Sequence, residues 1–147
     1  MNGSIAIPGI LIQSKNTGIE MDKLRFILDS NVIIDTLNCK LNLLAFLDTF
    51  PDCEIYISPI VEIEVLAKPG MNEQEEAGAR ILLDSFKRAE IDKPTCEIAI
   101  QIRRTKELRL PDALIVASAI TLNATLLSND PHLRDYQRFG YKASATN

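Results

Sequence analysis

A chain of 147 residues with 46% hydrophobic content is long enough for one domain with a sizeable core and too short for two ordinary ones. Its net charge of −4 and a pI near 5.0 exclude non-specific coating of nucleic acid by a basic surface, so any such contact must use metal ions, a local basic patch or a second subunit. The three cysteines, Cys39, Cys53 and Cys96, contain no C-x-x-C pair; they suggest neither a zinc knuckle nor a disulfide framework and fit a reducing cytoplasm.

Residues 1–20 are rich in Gly, Ser, Asn and Ile without periodicity. They read as a flexible extension, with a small hairpin turning at Pro8-Gly9 as the alternative, and Met21 is a candidate start for the folded domain 21–147. The apolar run IAIPGILI is interrupted by Pro8-Gly9 and has no Lys or Arg before it. It is therefore expected to be neither a signal peptide nor a membrane span.

From residue 24 onward, short apolar runs alternate with amphipathic stretches, the pattern of an α/β domain. Arg25 to Leu28 predicts a strand, Leu41 to Phe50 a helix stopped by Pro51, and Glu54 to Ile57 a second strand. Ser58-Pro59 supplies an N-cap and a first-turn proline for a helix through Ala67, which Pro69-Gly70 ends. The stretch Asn72 to Glu90 predicts a long amphipathic helix with Ala79, Leu82, Leu83, Phe86 and Ala89 on one face. On its charged side, Glu76–Arg80 and Asp84–Arg88 have pairing spacing. Residues 95–108 are ambiguous, since Ile98, Ile100 and Ile102 alternate as in a strand while the charges and length suit a helix. Pro111 opens an apolar helix running from Asp112 to about Leu122, Ala124 to Ser128 predicts a last strand, and Asp130-Pro131 caps a short final helix.

Four acidic residues, Asp29, Glu64, Asp112 and Asp130, lie where apolar elements meet turns, in FILDSNVIID, YISPIVEIEVL, LRLPDALIVASA and LLSNDPHL. Carboxylates held together beside buried elements need positive charge between them, and a divalent cation is the simplest source. Hard ions such as Mg²⁺ and Mn²⁺ choose carboxylate oxygens, and they activate water for attack on a phosphodiester. If the first and last strands are parallel, Asp29 and Asp130 emerge at the same sheet edge, where ligands bind in open α/β sheets.

In that order, with Asp-Ser-Asn early and Leu-Pro-Asp-Ala-Leu-Ile followed by Ser-Asn-Asp late, these contexts resemble the PIN domain family, which includes the VapC-type toxin ribonucleases. The resemblance runs from about Met21 to the C-terminus. It implies a three-layer α/β/α domain around a central mostly parallel sheet, and it favours a helix for residues 95–108. It also implies a Mg²⁺- or Mn²⁺-dependent endoribonuclease with Asp29, Glu64, Asp112 and Asp130 as catalytic metal ligands. The family's Ser-x-x-x-x-x-Glu spacing is matched by Ser58 to Glu64, and helical geometry turns Glu62 nearly to the opposite side as a solvated neighbour. Where the commoner family form has threonine two before the last aspartate and an aromatic three after it, this chain has Ser128 and Leu133.

Two of these acids also have a purely structural explanation. Asp112 could serve as a charge at a helix N-terminus, and Asp130 as an ordinary N-cap, leaving Asp135 as a substitute ligand. Ser30, Asn31 and Ser128 are candidates for orienting ligands or touching phosphate, and equally for turn and cap roles. Asp35 is expected to be a helix charge. The cluster Arg103, Arg104, Lys106 and Arg109 and the pair Arg134 and Arg138 suit an RNA backbone or a solvated surface.

The sole histidine, His132, is expected on a surface helix and rules out a two-histidine ribonuclease mechanism. No phosphate-cradling glycine motif is present. With aromatics at 5% and no Trp, base stacking is a poor source of specificity. The resemblance further implies a cytoplasmic protein, a homodimer and an antitoxin partner covering the acidic cleft. The competing expectation is a catalytically inactive PIN-like module that binds RNA or serves in assembly.

Overall fold

The computed structural model describes residues 4–7, 10–13, 23–50, 52–105 and 108–136, with side chains only within 23–133. Pro8-Gly9, Lys106 and Arg138, and the side chains of Arg134 and Asp135, lie outside it. Strands β1 (Ser4–Ile7) and β2 (Ile10–Gln13) pair antiparallel with Ile7 opposite Ile10.

The central sheet contains β3 (Arg25–Leu28), β4 (Glu54–Ile57), β5 (Lys87–Arg88) and β6 (Thr125–Leu127) in the order β5-β4-β3-β6, all parallel. Parallel strands need crossovers, which the helices supply: α1 (Ser30–Leu37) and α2 (Leu43–Leu47) join β3 to β4, and α3 (Pro59–Leu66) and α4 (Glu73–Asp84) join β4 to β5. Helices α5 (Lys93–Thr105) and α6 (Leu110–Leu122) then carry the chain back across the sheet to β6. The chain thus moves outward twice on one side of β3 and returns to its other side. Right-handed crossovers place α1–α4 on one face and α5–α6 on the other, giving three layers.

Burial agrees with two covered faces. Phe26, Ile27 and Leu28 are consecutive, so they point alternately to both sides, yet all are buried. Phe26 meets the rings of Phe46 and Phe50 at centroid distances of 6.1 and 5.1 Å. Helix α6 is buried around most of its circumference, including Ala113, Ile115, Val116, Ala117 and Ala119. In α5 the buried residues are Thr95, Ala99 and Ile102, a helical spacing that resolves the ambiguous stretch while Ile100 faces outward.

Two expected helices are shorter than their patterns. Helix α2 covers Leu43–Leu47 rather than residues 41–50, because the chain turns at Thr49 and Phe50 to seat the Phe50 ring against Phe26. The helix expected over 72–90 ends at Asp84, where the Ser85 hydroxyl bonds to the Leu82 carbonyl. Lys87 and Arg88 then pair with β4, and the Ala89 amide donates to the Ile57 carbonyl. Unpaired backbone along β4 outweighs one more helical turn. Arg88 consequently joins Glu62 rather than Asp84, whereas the expected Glu76–Arg80 pair forms at 3.1 Å. Glu62, expected to be a solvated neighbour, is therefore ion-paired.

Candidate functional site

The winding direction reverses between β3 and β6, and crevices at the C-terminal ends of strands at such a switch point are where open α/β sheets bind ligands. Leu28 lies opposite Leu127, and the Asp29 amide donates to the Leu127 carbonyl at 2.9 Å. The residues following these two strands are thereby held side by side.

Asp29 is the N-cap of α1 and is buried. Its carboxylate accepts from the Ser30 amide at 2.8 Å, Asn31 Nδ2 at 3.2 Å and the Ser128 hydroxyl at 2.6 Å. Ser128 Oγ in turn accepts from the Asp130 amide at 3.0 Å, so one buried hydroxyl ties both aspartates together. Asp130 Oδ1 accepts from the His132 amide and faces His132 Nδ1 at 3.0 Å. It thus fulfils the N-cap role and still presents its second oxygen. His132 itself is exposed, as expected.

Glu64 projects from α3, half-buried, and its carboxyl lies within the fields of Asp29 and Asp112, with Ser30 nearby favouring its charged form. Asp112, in the first turn of α6, is buried and bonded to Arg109 Nε at 3.3 Å. Asp29 thus feels the charges of Asp112 and Asp130, and Glu64 those of Asp29 and Asp112. Among the described residues, however, no three carboxylate, His or Cys side chains stand close enough to grip one ion together.

The PIN domain profile matches residues 26–138, which span this whole constellation. The chain belongs to the PIN domain family. No curated protein sequence matches it. In overall structure it is similar to VapBC2 from Rickettsia felis bound to a DNA fragment from their promoter, at a TM-score of 0.64 and 23% identity, covering 75% of this chain and 91% of that one. A toxin–antitoxin complex from Klebsiella pneumoniae gives 0.64 and 24%, covering 79% and 98%. DNA-bound VapBC from Salmonella typhimurium gives 0.65 and 20%, covering 81% and 95%.

In this PIN domain Asp29 and Glu64 carry the electrostatic signature of crowding. Burial, reinforced by the charges of Asp112 and Asp130, holds the Asp29 carboxyl above its ordinary value against the hydrogen bonds from Ser128 and Ser30. Burial raises Glu64 too, with Asp29 and Asp112 adding to it and Arg109 and Ser30 opposing. Asp130 is also partly desolvated, but hydrogen bonds from His132, and Arg109 beyond it, bring it below its usual value. Arg109 answers Asp112 first and then Glu64 and Asp130.

Asn129 was not singled out in the sequence. Its amide N–H donates to Asn31 Oδ1 at 3.0 Å, and its Nδ2 donates to Asp35 Oδ2 at 2.6 Å. Asp35, expected to be a plain helix charge, thus ties α1 to the segment carrying Asp130. This orientation leaves Asn129 Oδ1 buried without a donor; turning the amide would set that oxygen against Asp35. Nothing in an Asn between Ser and Asp marks such a role in advance.

Proposed function

We propose that the chain is a Mg²⁺- or Mn²⁺-dependent endoribonuclease that hydrolyses RNA phosphodiester bonds, the toxin of a toxin–antitoxin pair. The reading is supported by Asp29 and Asp130, tied together through Ser128 at the C-terminal edge of β3 and β6, and by burial and neighbouring charge, that of Asp112 included, raising Asp29 and Glu64. Such a donor set, all hard oxygens in mutual repulsion, fits a divalent ion. When bound, the ion supplies positive charge to the phosphate and a more nucleophilic water.

The chain's own residues hold that arrangement ready. Asp29 is fixed by Ser30, Asn31 and Ser128, and Asp130 is aimed by Ser128 and capped onto the final 3₁₀ turn (Pro131–Tyr136). Arg109, exposed at the rim, offers a guanidinium to a backbone phosphate. An antitoxin partner is supported by the structural likeness to toxin–antitoxin complexes, and an acidic cleft suits a partner segment bearing arginine. A homodimer and a cytoplasmic location complete the proposal. No helix among the described residues is long and apolar enough to cross a membrane.

One observation favours a second role, as a non-catalytic RNA-binding or assembly module: the absence of three ligating side chains within grip of a single ion among the described residues. Incubating RNA with the protein in Mg²⁺, Mn²⁺ and EDTA separates the two. Cleavage that requires the metal supports the nuclease; RNA left intact under all three conditions supports the module.

A further inference from the structure

The first turn of α6 breaks two local rules at one residue. Arg109 is the N-cap of α6, with extended backbone at φ −65° and ψ 156°, yet it makes no side-chain cap hydrogen bond. Ser, Thr, Asp and Asn are the side chains that satisfy a helix N-terminus, and a cation there faces the positive end of the helix dipole. Such a conflict points to a function when something else at the site uses the residue.

That use is visible in the geometry. The guanidinium turns toward Asp112 instead, with Nε 3.3 Å from Oδ2; the Asp112 side chain is 10% exposed and that of Arg109 is 74% exposed. Among the described residues this is the one side-chain hydrogen bond that the Asp112 carboxylate receives. A buried anion thus has a single cationic partner, drawn from solvent and anchored on unfavourable helix-end ground.

We propose that Arg109 is a tethered counter-ion that holds the carboxylate cluster in the metal-free protein and competes with the divalent ion for Asp112. The proposal rests on the metal-dependent function above. Balancing Asp112 in the absence of the ion eases its repulsion of Asp29 and Glu64, and the weak anchorage lets an ion of higher charge displace the guanidinium. Charge alternation at one carboxylate then couples loading of the ion to release of an arginine at the rim.

Calorimetric titration of the full chain with Mn²⁺ tests this. Removing an exposed ion pair of this kind is expected to tighten Mn²⁺ binding roughly threefold to fivefold in Arg109→Gln. Arg80→Gln, the same charge change on the exposed Glu76 pair of α4, is expected to leave it unchanged, and Arg109→Lys to fall between wild type and Arg109→Gln. Equal affinity in wild type and Arg109→Gln, or equal tightening in Arg80→Gln, overturns the proposal while leaving the metal site standing. Absence of Mn²⁺ binding in every protein overturns the metal-dependent function and the proposal together.

Discussion

Asp29 concentrates the physical tension of the site, because it is buried, accepts three hydrogen bonds and faces other carboxylates. Asp29→Asn keeps its volume and removes the charge, and RNA cleavage in Mg²⁺ is expected to fall by about 100-fold or more. An acid whose pKa is raised on folding binds more protons when folded. Its contribution to stability is therefore favourable at low pH and is lost as pH rises from its unfolded value, 3.8 for Asp29, through the raised one. In EDTA, Asp29→Asn is accordingly expected to melt above wild type at neutral pH, with the difference closing below about pH 3.5. Melting curves across that range check both the sign and the window; a difference that widens on acidification would contradict it. Ser128→Ala removes the hydroxyl shared by Asp29 and Asp130, and should weaken Mn²⁺ binding in titration while the protein still folds.

At the scale of elements, the site depends on α1 being tied to the segment after β6. Asn129→Ala is expected to destabilise the protein by about 1 kcal/mol, the usual worth of such a hydrogen bond. Because Asp35 and Asn129 act as one contact, adding Asp35→Ala should cost less than the two single changes summed, by about 0.5 kcal/mol or more. Additive denaturation energies would show the contact to be idle. The strands were legible where an apolar run is short and bounded, as in Arg25 to Leu28 and Glu54 to Ile57, and Ser58-Pro59 announced α3. The end of α4 was not, because the periodic face of Ala79, Leu82, Leu83 and Phe86 continues past Asp84, and only the exposed backbone of β4 diverts Lys87 and Arg88 into the sheet. Asp29 and Asp130 stand out because each follows an apolar strand. Asn129 and Asp35 do not, because their meeting depends on β6 lying beside β3.

For the molecule as a whole, the central sheet is built from residues 25–127, and β1 and β2 pair with each other rather than with it. A chain starting at Met21 is therefore expected to unfold cooperatively with a melting temperature close to that of the full chain, measured by circular dichroism. A broad, non-cooperative melt would assign the first twenty residues a share in the fold. The two-residue strand β5 has a further consequence. It ends the sheet in Lys87 and Arg88, both charged and exposed, so another chain finds almost no backbone to extend and meets charge where it would need a flat apolar ribbon. The sheet is closed to growth by strand addition on that side. A second copy docking there must turn to helical faces, where Ile63 of α3 and Ile81 of α4 stand exposed, and accumulation of the folded protein should not seed fibres through this edge.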